Sequence, residues 1–254
     1  MSTKNPWQLY DDLIDLLPAD LTVTEAVLSR VVLVENSAGG IGTASNDRGG
    51  RRERAANRRI IGQPLRDVAA LIKSWDFELA SLGVAALNSW LNTSDRLAAF
   101  ATSPRMNLEQ SDRDIFESRA HEFIGQKVAL IGHFTPGVKA LADRVELTVL
   151  ERDPHGFDLP DSACEYVLPA TDAVFITGMT VANKTLPHLL ELSANATVFL
   201  VGPSVPCAPE VFTGAVQHIA SSYVTDAPLA RSLATVGART PEMRPATSRF
   251  TLDT

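Results

Sequence analysis

Lys127-Val128-Ala129-Leu130-Ile131-Gly132-His133-Phe134 is the stretch that decides how this chain folds. Its apolar run is short, shows no alternation, and stops at a glycine followed by a polar residue. Strands buried on both faces of a parallel sheet read this way. Three later runs end alike: Val145 to Leu150 into Glu151-Arg152, Ala173 to Ile176 into Thr177-Gly178, and Ala196 to Val201 into Gly202-Pro203-Ser204. Helical segments separate them, as in βαβ units. A parallel sheet is therefore expected, with strands near 127–131, 145–150, 172–176 and 196–201, a further strand near 216–220, and a helix from Pro228 to Val236. Ligands of open sheets sit outside the carboxyl ends of the strands, so the four endings are expected to form one site.

With 254 residues, 45% hydrophobic and 21% charged, the chain has an ordinary globular composition and room for two modest domains. A net charge of −7 disfavours nucleic acid and anionic membranes as partners. Met1 to Asp12 lack the basic start and apolar core of a signal peptide, and no apolar run reaches membrane-span length. A cytoplasmic location is expected. Cys164 and Cys207 are too few for a disulfide framework and too far apart for a zinc motif, so both read as reduced thiols.

The first half has another grammar. Trp7 to Leu17 reads as a helix stopped by Pro18, Ala26 to Val34 as a strand, and Ser37 to Thr43 as a glycine-rich turn into a second strand. Helical patterns follow from Pro64 to Trp75 and from Asp76 to Leu91. This predicts a small α+β domain over residues 1–110 and a Rossmann-like α/β domain over 111–254. The last fifteen residues, rich in Arg, Pro and Thr, read as frayed.

The strand ends supply the candidate chemistry. Gly132 and Gly137 do not make the dinucleotide fingerprint, and no Gly-Lys-Ser/Thr follows, which disfavours NAD and ATP. Glu151 falls near the position where a Rossmann acid meets a ribose, and His133 is delivered to the sheet edge. Asp161 reads as a helix N-cap or a ligand contact. Thr177, Gly178 and Thr180 lead into Val181 to Thr185, which includes Asn183 and reads as the opening turn of a helix running to Leu192, a setting suited to an anion. Gly202 and Pro203 stiffen the loop bearing Ser204, which lacks a nucleophile-elbow motif and reads as a hydrogen-bonding group. Asn88 lies four residues after Val84 on an apolar helix and needs a partner, either a backbone carbonyl or a ligand. Arg48, Arg51, Arg52, Arg54, Arg58 and Arg59 crowd one segment, broken by Asp47 and Glu53. It reads as a solvated loop or a contact to a second subunit, so a homo-oligomer is compatible with the chain.

Taken in order, Val128 to Phe134, Leu150 to Arg152, Leu159 to Ala163, Ile176 to Thr185 and Leu200 to Pro206 resemble the DUF364 family, named for a suggested role in heavy-metal chelation. The resemblance implies a Rossmann-like carboxyl-terminal domain, an amino-terminal domain similar to that of enolase, and a site between them. Gly42 and Asn88 would enter that site from the amino-terminal side; where the family reads an aromatic residue shortly after its glycine, this chain has Ala44-Ser45-Asn46. A transition or heavy metal is the implied cofactor, with His133 and Glu151 as ligands and a metal chelate as partner. From the residues alone, an enzyme acting on a small anionic metabolite is equally open, with His133 as general acid/base and Glu151 orienting it.

Overall fold

A computed structural model describes residues 5–47, 49–50, 59–102, 107–109 and 114–254. The segment Arg48 to Arg58 of the arginine cluster lies outside them except for Gly49 and Gly50; Arg59 is described and exposed.

Helix α1 (Gln8–Asp15) is followed by β1 (Val23–Val27), β2 (Val31–Asn36) and β3 (Ile41–Ser45), an antiparallel three-stranded sheet. The single strand expected over Ala26 to Val34 is a hairpin, with Val27 paired to Leu33. Its turn is Leu28-Ser29-Arg30, without Gly or Pro to mark it, so the run reads as unbroken. Next come α2 (Leu65–Ala69) and α3 (Phe77–Leu91), the latter capped by Asp76, whose carboxylate accepts the Glu78 N–H. Helix α3 is buried on nearly all sides, as its continuous apolar sequence requires. A Cβ on Gly42 would stand 2.1 Å from the Ser89 nitrogen, so the glycine lets β3 lie directly on α3. Then follow α4 (Ser94–Ala101) and β4 (Asn107–Glu109).

The second half runs α5 (Ile115–Arg119), β5 (Lys127–Ile131), α6 (Thr135–Leu141), β6 (Glu146–Glu151), β7 (Leu159–Pro160), α7 (Cys164–Val167), β8 (Ala173–Thr177), α8 (Met179–Ala182), α9 (Leu186–Leu192), β9 (Thr197–Val201), α10 (Pro209–Phe212), β10 (His218–Val224), α11 (Ala227–Thr235) and β11 (Thr247–Asp253). The eight-stranded sheet has the order β4-β11-β10-β9-β8-β5-β6-β7. From β7 to β10 every neighbouring pair is parallel. The first strand of this set, β5, lies inside it, and the chain winds outward from it in both directions. This is the doubly wound, Rossmann-like order, and its switch point is the crevice between β5 and β8. Ala129, Ile131, Val174 and Ile176 pack on one face with the helices of the first half, while Leu130, Phe175, Phe199 and Val201 pack on the other around Phe116 and Phe123.

Two further expectations fail. The last fifteen residues are not frayed: a 3₁₀ segment, Thr240–Ala246, leads into β11, which pairs antiparallel with both β10 and β4. The anchor is Phe250 and Leu252, buried at alternating positions in an otherwise polar strand that composition alone conceals. Strand β4 also belongs to this sheet, although it falls among residues assigned to the first half. Nor does one helix run to Leu192. Helix α8 ends at Ala182, Lys184 takes a left-handed φ of 68°, and α9 restarts with Pro187 in its first turn, where a missing N–H costs nothing.

Candidate functional site

At the switch point, β5 exits through Gly132, whose φ of 102° is readily adopted only by glycine. The turn places the His133 N–H 2.8 Å from Oε2 of Glu151, at the end of β6, while Oε1 accepts the Arg152 N–H at 2.7 Å. Glu151 thus joins two strand exits through the backbone. It does not orient the imidazole. That partner is Asp158, whose oxygens lie 2.9 and 3.0 Å from Nδ1 of His133 and whose side chain is fully buried. With Nδ1 engaged, Nε2 is the ring atom left for a ligand.

Across the crevice, the break between α8 and α9 sends Lys184 back toward the first half. Its Nζ donates to the carbonyls of Ser74 and Ala182 and lies 4.9 Å from the Phe77 ring centre. Arg152 approaches the same ring, 5.6 Å from its centre. Phe77, the first residue of α3, therefore gathers two cations that repel each other, and Asp47, 3.8 Å from Arg152, offsets part of that charge. Burial pushes the Lys184 ammonium down to about 8, against the pull of Asp47 and Asp76. Among non-glycine residues described, only Lys184 has a positive φ. Asp47, Arg152 and Lys184 line a cavity of about 610 Å³ that also takes in Gly132, His133, Glu151, Asp161, Thr177, Thr180 and Asn183.

The exit of β9 is different. Gly202, with φ 113°, turns the chain so that the Pro203 carbonyl accepts from Nδ2 of Asn88, which also donates to the Thr43 carbonyl, each at 2.9 Å. The Ser204 hydroxyl accepts the Ser45 N–H at 2.8 Å. One turn beyond Asn88, the buried Asn92 donates to the Val205 carbonyl and Ser221 hydroxyl and accepts the Cys207 N–H. A Cβ on Gly178 would meet the Ser204 carbonyl carbon at 2.6 Å, so this loop lies flush on the start of α8. The result is a seam of neutral hydrogen bonds closing the two halves.

The structure therefore divides the residues expected at one site. Gly132, His133, Glu151, Asp161, Thr177, Thr180 and Asn183 meet at the large cavity. Gly42, Asn88 and Ser204 lie in the buried seam, and Gly202 and Pro203 face a separate cavity of about 270 Å³. Asp161 does not cap a helix, since it begins a 3₁₀ turn and its side chain accepts no main-chain N–H, and its carboxylate stands 3.8 Å from Arg152. Arg152, Asp158, Lys184 and Phe77 were not among the candidates. The one local hint was Asn183-Lys184-Thr185 ahead of a proline, a sequence that favours a helix break.

Comparison with known proteins adds the lineage. The DUF364 model, described as "Putative heavy-metal chelation", matches residues 114–252, more than half of the chain. The chain belongs to the DUF364 family. A second model with the same description, DUF4213, matches residues 10–91. A crystal structure of a DUF364 protein of unknown function from Desulfitobacterium hafniense is 32% identical, with a TM-score of 0.88 over 98% of each chain. Another, from Pyrococcus horikoshii, is 22% identical with a TM-score of 0.77 over 98% of this chain and 99% of that one, and shares the fold. An uncharacterised protein of Methanocaldococcus jannaschii is 32% identical over 173 residues, 65% of this chain and 62% of its own length.

The donor set of this DUF364 chain does not suit a resident heavy metal. Among the described residues, no group of three or more His, Cys, Asp or Glu side chains could hold an ion. Cys164 lines the cavity, yet burial first, and then Asp161, pushes its thiol up to about 11, so it stays protonated. Among the described residues, no helix is long and apolar enough to cross a membrane.

Proposed function

We propose that this chain binds a small anionic organic molecule in the cavity between β5, β6 and β8, and that a heavy metal reaches it already chelated by such a molecule. The observation that carries this reading is the pairing of Arg152 and Lys184 on Phe77 at the cavity wall. Lys184, partly desolvated, and Arg152, exposed at the rim, beside an open space of about 610 Å³ favour a polyanion that can offset both. Thr177, Thr180 and Asn183 supply hydroxyl and amide groups around it, and Asp47, which lines it from the first half, supports reading the site as an interdomain cleft. The family description supports a metal-related role, and with no three-donor group among the described residues this reading leaves the ion's coordination to a chelator. Both cysteines are unpaired and buried, which suits the reducing cytoplasm.

Calorimetry with nickel chloride, sodium citrate and nickel citrate tests the proposal. Citrate and nickel citrate should bind, and nickel chloride should not. Lys184→Met should weaken both citrate forms by about tenfold, or about 1.4 kcal/mol. Tight binding of nickel chloride that survives Lys184→Met would overturn it.

A second reading, an enzyme acting on a small anionic metabolite, is favoured by the contact of His133 with Asp158. A carboxylate on Nδ1 fixes the tautomer and readies Nε2 for proton transfer. Under this reading His133→Ala abolishes turnover of a metabolite that co-purifies with the protein and leaves its affinity nearly unchanged.

A further inference from the structure

The smaller cavity lies on the other side of Phe134, at the exits of β9 and β10, and does not depend on the reading above. Its volume is about 270 Å³, and Phe116, Phe134, Met243 and Phe250 are among its walls. Charge enters it unevenly. Arg249 is paired with Asp114 at 3.6 Å. Arg244 also lines the cavity and is exposed, and its guanidinium makes no hydrogen bond or ion pair with any described residue. An apolar interior with one unmatched guanidinium at its edge is complementary to an apolar body carrying a single carboxylate, since Arg engages carboxylates in bidentate fashion and the rings cover the rest. A polyanion such as citrate would leave most of its charge against aromatic rings. Ala220 pairs in register with Val201 and packs in the same cluster as Phe116 and Phe134, so its Cβ points into this space.

We infer that this cavity is a second ligand site, specific for a small apolar monocarboxylate of the aryl or branched aliphatic class. The test is ligand-observed NMR and calorimetry with 3-phenylpropionate and its neutral amide on the full chain. The acid should bind at least about tenfold more tightly than the amide. Arg244→Met, which removes no side-chain hydrogen bond or ion pair among the described residues, should remove that preference, and Ala220→Leu should abolish binding of both. The inference is overturned if the acid does not bind up to the millimolar range. It is equally overturned if Arg244→Met leaves the acid's preference intact, because the charge would then act elsewhere. Should Ala220→Leu fail to fold, Arg244→Met decides alone.

Discussion

Two stretches of one sheet edge, the exits of β5, β6 and β8 and the exit of β9, began with the same sequence signature and ended with opposite properties. The first is charged and open, with Lys184 and Arg152 held on Phe77 beside a large cavity. The second is neutral and closed, with Asn88, Asn92 and Ser204 spending their hydrogen bonds on the opposing main chain. Helix α3 makes the difference. At about 1.5 Å per residue its fifteen residues reach from one region to the other, so Phe77 backs the two cations of the cavity while the last turn fills the seam. A position beyond a strand end is thus a chance of a site, and what the first half packs against it decides the outcome.

The comparison predicts a clean division between stability and binding. Asn92→Ala should be the most damaging change, leaving the buried Cys207 N–H without an acceptor, removing the amide's bonds to the Val205 carbonyl and Ser221 hydroxyl, and costing about 3 kcal/mol, roughly 6 to 12 °C in Tm. Ser204→Ala should cost about 1 to 2 kcal/mol, because the Ser45 N–H loses its acceptor. Neither should alter citrate affinity by more than about twofold, measured on folded protein below its transition. Arg152→Met should do the reverse, weakening citrate by about tenfold with little change in Tm. His133→Ala should have the smallest effect on citrate, within about twofold, since its ring is committed to Asp158. A tenfold loss there would make the imidazole a direct ligand and blur the comparison.

Much of the sheet was legible because β5, β8 and β9 are apolar on both faces; β5 matches its expected range, and β8 and β9 begin within one residue of theirs. The tie of Asn88 to a backbone carbonyl was legible from its place on an apolar helix. Lys184 was not, because its properties arise from Phe77, more than a hundred residues away, and from a left-handed turn inside an apparently helical run. Asp158 sits in a loop whose shape no periodicity encodes. The tail was misread because its polar composition hid an alternation carried by Phe250 and Leu252.

The central claim is that Lys184, charged and partly desolvated, holds the anion. Its pH signature is the most direct test. Because burial brings its titration down to about 8 from the ordinary 10.5, citrate affinity should fall as pH rises through about 8. Stability should move the other way, rising between about 8 and 10.5, where the unfolded chain still holds the proton that the folded chain has released. Calorimetry across this range, in buffers of differing ionisation enthalpy, should show citrate binding coupled to proton uptake in the native chain and no such uptake in Lys184→Met. Affinity independent of pH, or the same profile in both proteins, would contradict the claim.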